Sequence, residues 1–277
     1  LASGAANDIT FDTASNNFGT VVITNGNNVV FEDTNAIVFG ASSISGSLAV
    51  TAGGGITDSG NVAVAGDVTL TTDASNGVIN MGTLQQSSGD LLLVTNGNGA
   101  ATVVNNAGID FGTSNVGGAL SATASAGNIT QNGGAITVAG TSSFILGANS
   151  ANVVLDHASN AFSGAVTLLA GAGGSQAFGN VTFVDDSAVK IDANADAAGD
   201  LFLNAGTDGA AGGNLAVTAT TGNITQGVAV AVTGNSSFTT AATDATITLG
   251  TTTNALGGTV AFTTAGTAGN VTIDNGT

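Results

Sequence analysis

The sequence predicts an all-β protein built as a parallel β-helix, or β-solenoid, that forms one continuous rod. Three observations indicate this architecture. Short β-type runs alternate with turn residues along the whole chain, the same strand motifs recur three times, and the distance between their copies is not constant. Stacked coils accommodate all three observations, because each coil contacts only its neighbours.

The predicted strands are short runs in which an apolar residue often occupies every second position, as half-buried strands require. Patches rich in Gly and Asn separate these runs, and both residues adopt the left-handed conformations that tight corners need. Residues that favour helices, such as Glu, Lys, Arg and Met, are almost missing. The principal runs cover residues 9–11, 21–24, 29–31, 37–39, 48–51, 62–64, 68–71, 91–95, 153–155, 166–169, 181–184, 215–218 and 247–249.

The composition of the 277 residues excludes several classes of protein and partner. Pro, Cys, Trp and Tyr are all absent. Pro is barred from central strands, so its absence indicates strands that pair on both sides, and the absence of Cys excludes disulfides and thiolate metal sites. The net charge of −17, with Lys190 as the only basic side chain, argues against nucleic acid and anionic membranes as partners. No apolar run approaches the ~20 residues of a membrane helix, so we expect no membrane insertion.

One string of residues recurs at 46–52, 118–124 and 213–219. Each copy is followed by Gly-x-Ile-Thr, and the spacing of the isoleucines Ile56, Ile129 and Ile224 is clearly longer in the second interval than in the first. A string of sandwich domains should not change its repeat length this much and keep its flanking strands. A solenoid can, because a coil or a turn can be added without disturbing its neighbours.

We therefore predict a single solenoid segment over residues 1–277, made of imperfect repeats. Its coils should hold about 20 residues and stack ~4.8 Å apart. The predicted repeats cover roughly 7–75, 76–151 and 152–243, with a partial copy at 244–277.

The extended string Gly-x-Leu-x-Val-Thr-Ala-x-x-Gly-x-Ile-Thr at 46–57, 118–130 and 213–225 resembles the repeats of filamentous-haemagglutinin-like bacterial exoproteins and adhesins. Ala122 replaces Val in the second copy. The Asn-x-Phe-x-Gly and Val-x-Phe-x-Asp-x-x-Ala-Ile blocks of this chain resemble them too. This resemblance implies a right-handed parallel β-helix shaft at the cell surface, which serves adhesion, fibre building or biofilm formation. The amino-terminal secretion domain of such proteins is not recognisable here, which favours a fragment of a longer chain.

Most Asp residues fall at predicted turns, for example Asp58, Asp73, Asp90 and Asp208. We expect these carboxylates to be solvated and to keep a long rod with an apolar core from aggregating sideways.

The chain offers little for catalysis, and we expect no catalytic residues. His157 is the only His and is predicted to be a solvated turn residue, since no nucleophile motif accompanies it. Asp185 and Asp186 could in principle work as an acid–base pair, but adjacent residues of a strand point to opposite faces.

Calcium is the one candidate cofactor. The loop beginning at residue 192 places oxygen-bearing side chains at positions 1, 3, 5 and 9, which is the early spacing of a calcium loop. Ala197 stands where Gly is preferred, and Leu203 stands where a bidentate acid is preferred. The predicted ligands are Asp192, Asn194, Asp196 and Asp200.

Two further features have structural interpretations. Lys190 is predicted to point outward from a strand, where a covalent cross-link is conceivable. Asn-x-Thr sequons recur because the motif that starts a strand recurs, so we interpret them as structural. They begin at Asn128, Asn180, Asn223 and Asn270.

We therefore expect a structural shaft segment of a secreted bacterial surface adhesin or extracellular filament, without enzymatic activity. Its expected partners are itself or the rest of a longer chain, end to end, and glycans or proteins of a host or neighbouring cell surface. One alternative is a β-helical carbohydrate-active enzyme, although the chain lacks the Trp and Tyr that stack on sugars. Another is an ice- or surface-binding β-solenoid, for which the pairs Thr218/Thr220 and Thr246/Thr248 are the only hint.

Overall fold

The computed structural model describes residues 1–171, 176–193, 197–204 and 210–276, and this part of the chain contains strands, turns and no helix. In chain order the strands are β1 (Ile9–Phe11), β2 (Thr20–Val21), β3 (Val29–Asp33), β4 (Ile37–Phe39), β5 (Ser42–Ile44), β6 (Leu48–Ala52), β7 (Ile56–Asp58), β8 (Val62–Val64), β9 (Val68–Ser75), β10 (Ile79–Gln86), β11 (Leu91–Asn96), β12 (Ala101–Asn105), β13 (Ile109–Phe111), β14 (Ser114–Val116), β15 (Leu120–Ala124) and β16 (Ile129–Gln131). They continue with β17 (Ile136–Val138), β18 (Ser142–Leu146), β19 (Val153–Leu155), β20 (Ala161–Phe162), β21 (Val166–Ala170), β22 (Val181–Asp185), β23 (Val189–Asp192), β24 (Asp200–Asn204), β25 (Ala210–Ala211), β26 (Leu215–Ala219), β27 (Ile224–Gln226), β28 (Ala231–Val232), β29 (Ser236–Thr243), β30 (Ile247–Leu249), β31 (Ala255–Leu256), β32 (Val260–Ala265) and β33 (Val271–Ile273).

These strands form two long parallel sheets that enclose one core. The path of the first sheet runs β1-β3-β6-β9-β11-β13-β16-β19-β22-β26-β29-β32, and that of the second runs β2-β4-β7-β10-β12-β15-β18-β21-β24-β23-β27-β30-β33. A short third sheet, β25-β28-β31, extends the side of the second. The chain alternates between the two sides of the rod and completes about 11 turns. On some sides a corner divides the strand into two: β5 and β8 belong to the second sheet, and β14, β17 and β20 belong to the first. The predicted all-β class and parallel β-solenoid are confirmed.

The coils vary in length. On the first sheet Val29 pairs with Leu48, which makes a short coil, whereas Val181 pairs with Leu215, which makes a much longer one. The early coils therefore match the expected length of about 20 residues, and the later coils are longer.

The recurring string changes sides of the solenoid from copy to copy. Its strand is β6 on the first sheet, β15 on the second sheet and β26 on the first sheet again. We define a half-turn as the strand, or the group of consecutive strands, that one coil contributes to one side of the rod. The intervals from β6 to β15 and from β15 to β26 then both span seven half-turns. The second interval nevertheless contains more residues, since Leu48, Leu120 and Leu215 begin the three strands. The extra residues lengthen corners and add strand β24, and no whole coil is added.

Strand order departs from chain order at one place among the described residues. Leu201 of β24 pairs with Val166 of β21 on one side and with Ile191 of β23 on the other. The later strand β24 thus lies between two earlier ones. Strands β23 to β25 all lie between β22 and β26 in the chain, and we count them as one half-turn.

Inward side chains of both sheets form a single apolar core along the rod. The in-register stacking places each inward residue over the same position of the coil below, for example Val50 next to Leu70. Phenylalanines contact one another along this core: Phe111 and Phe162 both lie edge-to-face with Phe144, at centroid distances of 6.0 and 5.9 Å. All three rings are fully buried.

Because Phe144 fills the core between two other rings, the substitution Phe144→Ala should lower the free energy of unfolding by about 3–5 kcal/mol. Its neighbour Ser143 points outward in the same strand, so Ser143→Ala should change the free energy of unfolding by less than about 0.5 kcal/mol. Urea unfolding followed by circular dichroism measures both. Equal effects of the two substitutions would contradict the inward and outward assignment of β18.

Candidate functional site

The second sheet presents two columns of side chains to solvent. The first, which we call the hydroxyl column, contains Thr20, Val38, Thr57, Asn80, Thr102, Ser121, Ser143 and Thr167 in successive coils. The second, which we call the apolar column, contains Val104, Thr123, Ile145 and Leu169. Every residue of the apolar column is half-buried. From β12 to β21 the outer surface of this sheet is therefore uncharged and partly apolar.

The two Thr pairs singled out from the sequence do not lie side by side on a sheet. Thr218 and Thr248 point outward from β26 and β30. Thr220 lies at a corner, where its N–H donates to the carbonyl oxygen of Asp185. The N–H of Thr246 donates to Oδ1 of Asn223.

One corner of the solenoid carries a ladder of asparagines. Oδ1 of Asn128 accepts the N–H of Asn152 at 2.8 Å, and Oδ1 of Asn152 accepts the N–H of Asn180 at 2.6 Å. The ladder continues through Asn214 to Asn235, whose Oδ1 accepts the N–H of Thr259. These side chains satisfy backbone donors just before each strand of the first sheet begins. The structural interpretation of the sequons at Asn128, Asn180 and Asn223 agrees with these contacts.

A buried pair of amides closes the core at two equivalent corners. Nε2 of Gln131 donates to Oδ1 of Asn160 at 2.7 Å, and Nδ2 of Asn160 donates back to Oε1 of Gln131 at 3.0 Å. Gln226 and Asn254 repeat this arrangement at 2.8 and 3.0 Å. Each Asn also accepts a backbone N–H inside the core. Sequence reasoning did not identify these pairs, because the Gln partners of Asn160 and Asn254 lie in the preceding coil.

Asp185 is buried at the end of β22, and Asp186 is exposed, so the two carboxylates lie apart as the strand geometry predicts. Oδ1 of Asp185 accepts the N–H of Phe162 at 3.0 Å, and Oδ2 accepts the hydroxyl of Ser187 at 2.8 Å. Burial raises the pKa of the Asp185 carboxyl above its ordinary value, and these two hydrogen bonds act in the opposite direction.

The middle repeat carries Asn105 at the position that Asp185 occupies. Oδ1 of Asn105 accepts the N–H of Gln86, and its Nδ2 donates to the carbonyl oxygens of Gln86 and Gly108. The amide therefore satisfies more groups of this buried corner than a carboxylate can, because a carboxylate only accepts.

His157 is half-buried at the corner that follows β19. Its N–H donates to Oε1 of Gln131, and its Nδ1 accepts the N–H of Ser159 at 3.1 Å. Both contacts hold the turn that precedes Asn160. His157 thus occupies the turn position that the sequence predicts.

The predicted calcium ligands are only partly described. Asn194 and Asp196 lie outside the described residues. The Lys190 ammonium contacts Oδ2 of Asp192 and lies 3.9 Å from Oδ1 of Asp200. The hydrogen bond with Lys190 lowers the pKa of Asp192, and the N–H of Ala193 contributes in the same direction. A cationic group of the chain itself therefore lies next to both of the described acids.

Among the residues that the structure describes, no group of three or more His, Cys, Asp or Glu side chains is arranged to hold a metal ion. Within the same part of the chain, no helix is long and apolar enough to cross a membrane.

The fold and its recurring corners define a repeat protein of the parallel β-solenoid class. The chain matches the family described as repeats of unknown function (DUF5649) in three successive segments, 26–95, 98–169 and 178–263, and it belongs to this family. The comparisons with curated proteins and with solved structures returned no match.

Each matched segment corresponds to seven half-turns of the solenoid. The segment 26–95 runs from β3 to β11, 98–169 runs from β12 to β21, and 178–263 runs from β22 to β32. Because seven is odd, consecutive family units present equivalent strands on opposite sides of the rod. The repeats predicted from the sequence begin at other residues than these matched segments, and their boundaries stay a prediction.

Replacing Asp185 with Asn should stabilise the protein at neutral pH, because the substitution removes a buried charge and keeps the acceptor for the Phe162 N–H. A raised pKa in the folded state means that the contribution of Asp185 to stability is most favourable below the unfolded pKa of about 3.9 and is lost as pH rises through the folded value. The advantage of Asp185→Asn should therefore grow from pH 3 to pH 7. Melting temperatures across this range measure it, and an advantage that is constant or shrinks with pH would contradict the assignment.

If the calcium prediction holds, calcium should raise the melting temperature of the wild-type chain and leave that of Asp192→Ala unchanged. Lys190→Met should strengthen the response, because it removes the ammonium that competes for Asp192 and Asp200. Differential scanning fluorimetry with calcium and with magnesium measures the shifts. The same response in the wild type and in Asp192→Ala would remove Asp192 from the site.

Proposed function

We propose that this chain is a structural shaft segment of a secreted bacterial surface adhesin or extracellular filament, and that it performs no catalysis. The observation that carries the proposal is the single apolar core, which in the described part of the chain extends from Ile9 to Leu256. A core of this kind resists bending between coils, because every coil shares backbone hydrogen bonds and side-chain contacts with the next.

The stacking of the strands sets the length of the rod. Eleven steps between the strands of the first sheet, at ~4.8 Å each, give a shaft of about 53 Å. A module of this shape places whatever it carries at a fixed distance from its point of attachment. The resemblance of its motifs to exoprotein repeats supports an extracellular, cell-surface location for that task.

We propose that the rod is extended by end-to-end stacking, and the side chains of its last described coil support this. In the last described coil, Val271 and Ile273 are 41% and 40% exposed, whereas the equivalent inward positions of interior coils are buried. Strands β32 and β33 each have one edge without a described neighbour. Another coil, from the same chain or from a second copy, would cover both the apolar side chains and the edges.

Electron microscopy of the purified chain tests the shaft directly. It should show straight rods, and deletion of the family unit 98–169 should shorten them by about 17 Å, which is three and a half coils at ~4.8 Å. The deletion makes β22 follow β11 in place of its equivalent strand β12, so the chain should still fold. Beads joined by a hinge, or an unchanged length, would contradict the proposal.

The cell-surface location has a separate test. Antibodies against the purified chain should label intact cells of the source bacterium. Labelling only after lysis would contradict the location and leave the shaft architecture intact.

A further inference from the structure

We propose that two copies of this chain pair side by side through the outer surface of the second sheet, centred on repeat 98–169. This goes beyond the shaft role, which an unpaired rod would also serve. The pairing surface consists of β10, β12, β15, β18, β21 and β24, with the hydroxyl column and the apolar column at its centre.

Charge points to this surface. The chain carries a net charge of −17, so two copies repel each other wherever their acids meet. The strands β12, β15, β18 and β21 contain no ionisable residue. Between residues 98 and 169 the acids are Asp110 and Asp156, and both belong to the side of the first sheet. The second sheet is therefore the side on which another copy can approach this repeat with the least repulsion.

The pairing surface also carries apolar side chains that a partner can cover. Val104, Ile145 and Leu169 occupy outward positions of adjacent strands, and Phe202 of β24 points outward beside Thr167. These side chains are half-buried in the single chain and would lose the rest of their exposure against a flat partner. The neighbouring hydroxyl groups of Ser121 and Ser143 are short and uncharged, so they allow two sheets to approach at the usual ~10 Å.

The area agrees with a weak and reversible dimer. Six strands at ~4.8 Å, each five residues or about 17 Å wide, cover about 490 Å² per copy. The total of about 1,000 Å² is at the lower limit for a specific interface.

Symmetry selects the arrangement. A two-fold axis that lies in the interface along the strands, between β15 and β18, brings like columns together and makes the rods antiparallel. The apolar column then faces itself, with Val104 opposite the partner's Leu169 and Thr123 opposite the partner's Ile145. The other in-plane axis would set apolar side chains against hydroxyl groups.

Sedimentation equilibrium tests the pairing. The wild-type chain should associate to twice the mass of one chain, and added salt should strengthen the association because it screens the repulsion between acids. A wild-type chain that stays monomeric at every salt concentration overturns the proposal.

The odd number of half-turns provides a matched control. Thr123 and Thr218 occupy the same position of the recurring string, but Thr123 lies on the second sheet and Thr218 on the first. T123E should weaken the dimer at least tenfold, since it places two charges close to the two-fold axis, and T218E should leave it unchanged. Equal effects of T123E and T218E overturn the proposal. Unchanged melting temperatures show that both variants remain folded.

Cross-linking gives an independent measurement. The natural chain has no Cys, so an introduced thiol is the only one present. Because the two Cα atoms at residue 145 would lie too far apart for a direct disulfide, a short bismaleimide that joins two thiols should give a covalent dimer of I145C, and T218C should remain monomeric. Cross-linking of T218C at the same rate as I145C would overturn the assignment of the interface to the second sheet.

Discussion

Parallel stacking of each strand on the coil below, in register, is the constraint on which the whole structure depends. It fixes the neighbours of every inward side chain: Ile109 pairs with Ile129, and Val50 pairs with Leu70. The backbone groups of each strand pair with those of the adjacent coils, so the fold satisfies them without helices. Most inward positions are therefore apolar or carry a polar group whose partners come from its own corner or the adjacent coil. The buried hydroxyls of Ser142 and Ser236 are exceptions, since neither has a hydrogen-bond partner among the described residues.

Corners are where the constraint is hardest to meet. The chain must turn there while donors that precede each strand lack a partner in a sheet, and Asn side chains supply the acceptors. Asn152 and Asn180 do so on the surface, and Asn160 and Asn254 do so in the interior. The short side chain of Asn carries both a donor and an acceptor, which suits a corner that needs both. The abundance of Asn thus follows from the architecture as much as from turn propensity.

The sequence was sufficient to predict the fold class, because the alternation of apolar residues reports which side chains point inward, and the recurring strings report that coils repeat. It could not assign a strand to one sheet or the other, since inward residues such as Val50 and Ala122 have the same pattern on both. The odd number of half-turns was therefore not predictable. Neither was the insertion of β24 between β21 and β23, because Lys190 and Asp200 pair across a loop whose local sequence resembles an ordinary turn. The amide pairs were not predicted for a different reason. Gln131 and Asn160 lie in adjacent coils, and the sequence does not show which residues of two coils lie next to each other.

The same constraint separates the residues that make the rod from those that can give it a function. Equivalent inward positions stay apolar, as in Phe31, Val103 and Phe183, while the outward positions beside them change to Glu32, Val104 and Val184. Inward residues are constrained by their contacts with the coil below, and outward residues are constrained only by what contacts the outside of the rod. Because each family unit spans seven half-turns, an odd number, equivalent outward positions of consecutive units lie on opposite sides of the rod. Each side of the rod therefore combines surfaces from different positions of the repeat. The uncharged part of the second sheet arises in this way: the repeat with few acids contributes the four strands β12, β15, β18 and β21 to that side, and its two acids lie on the other.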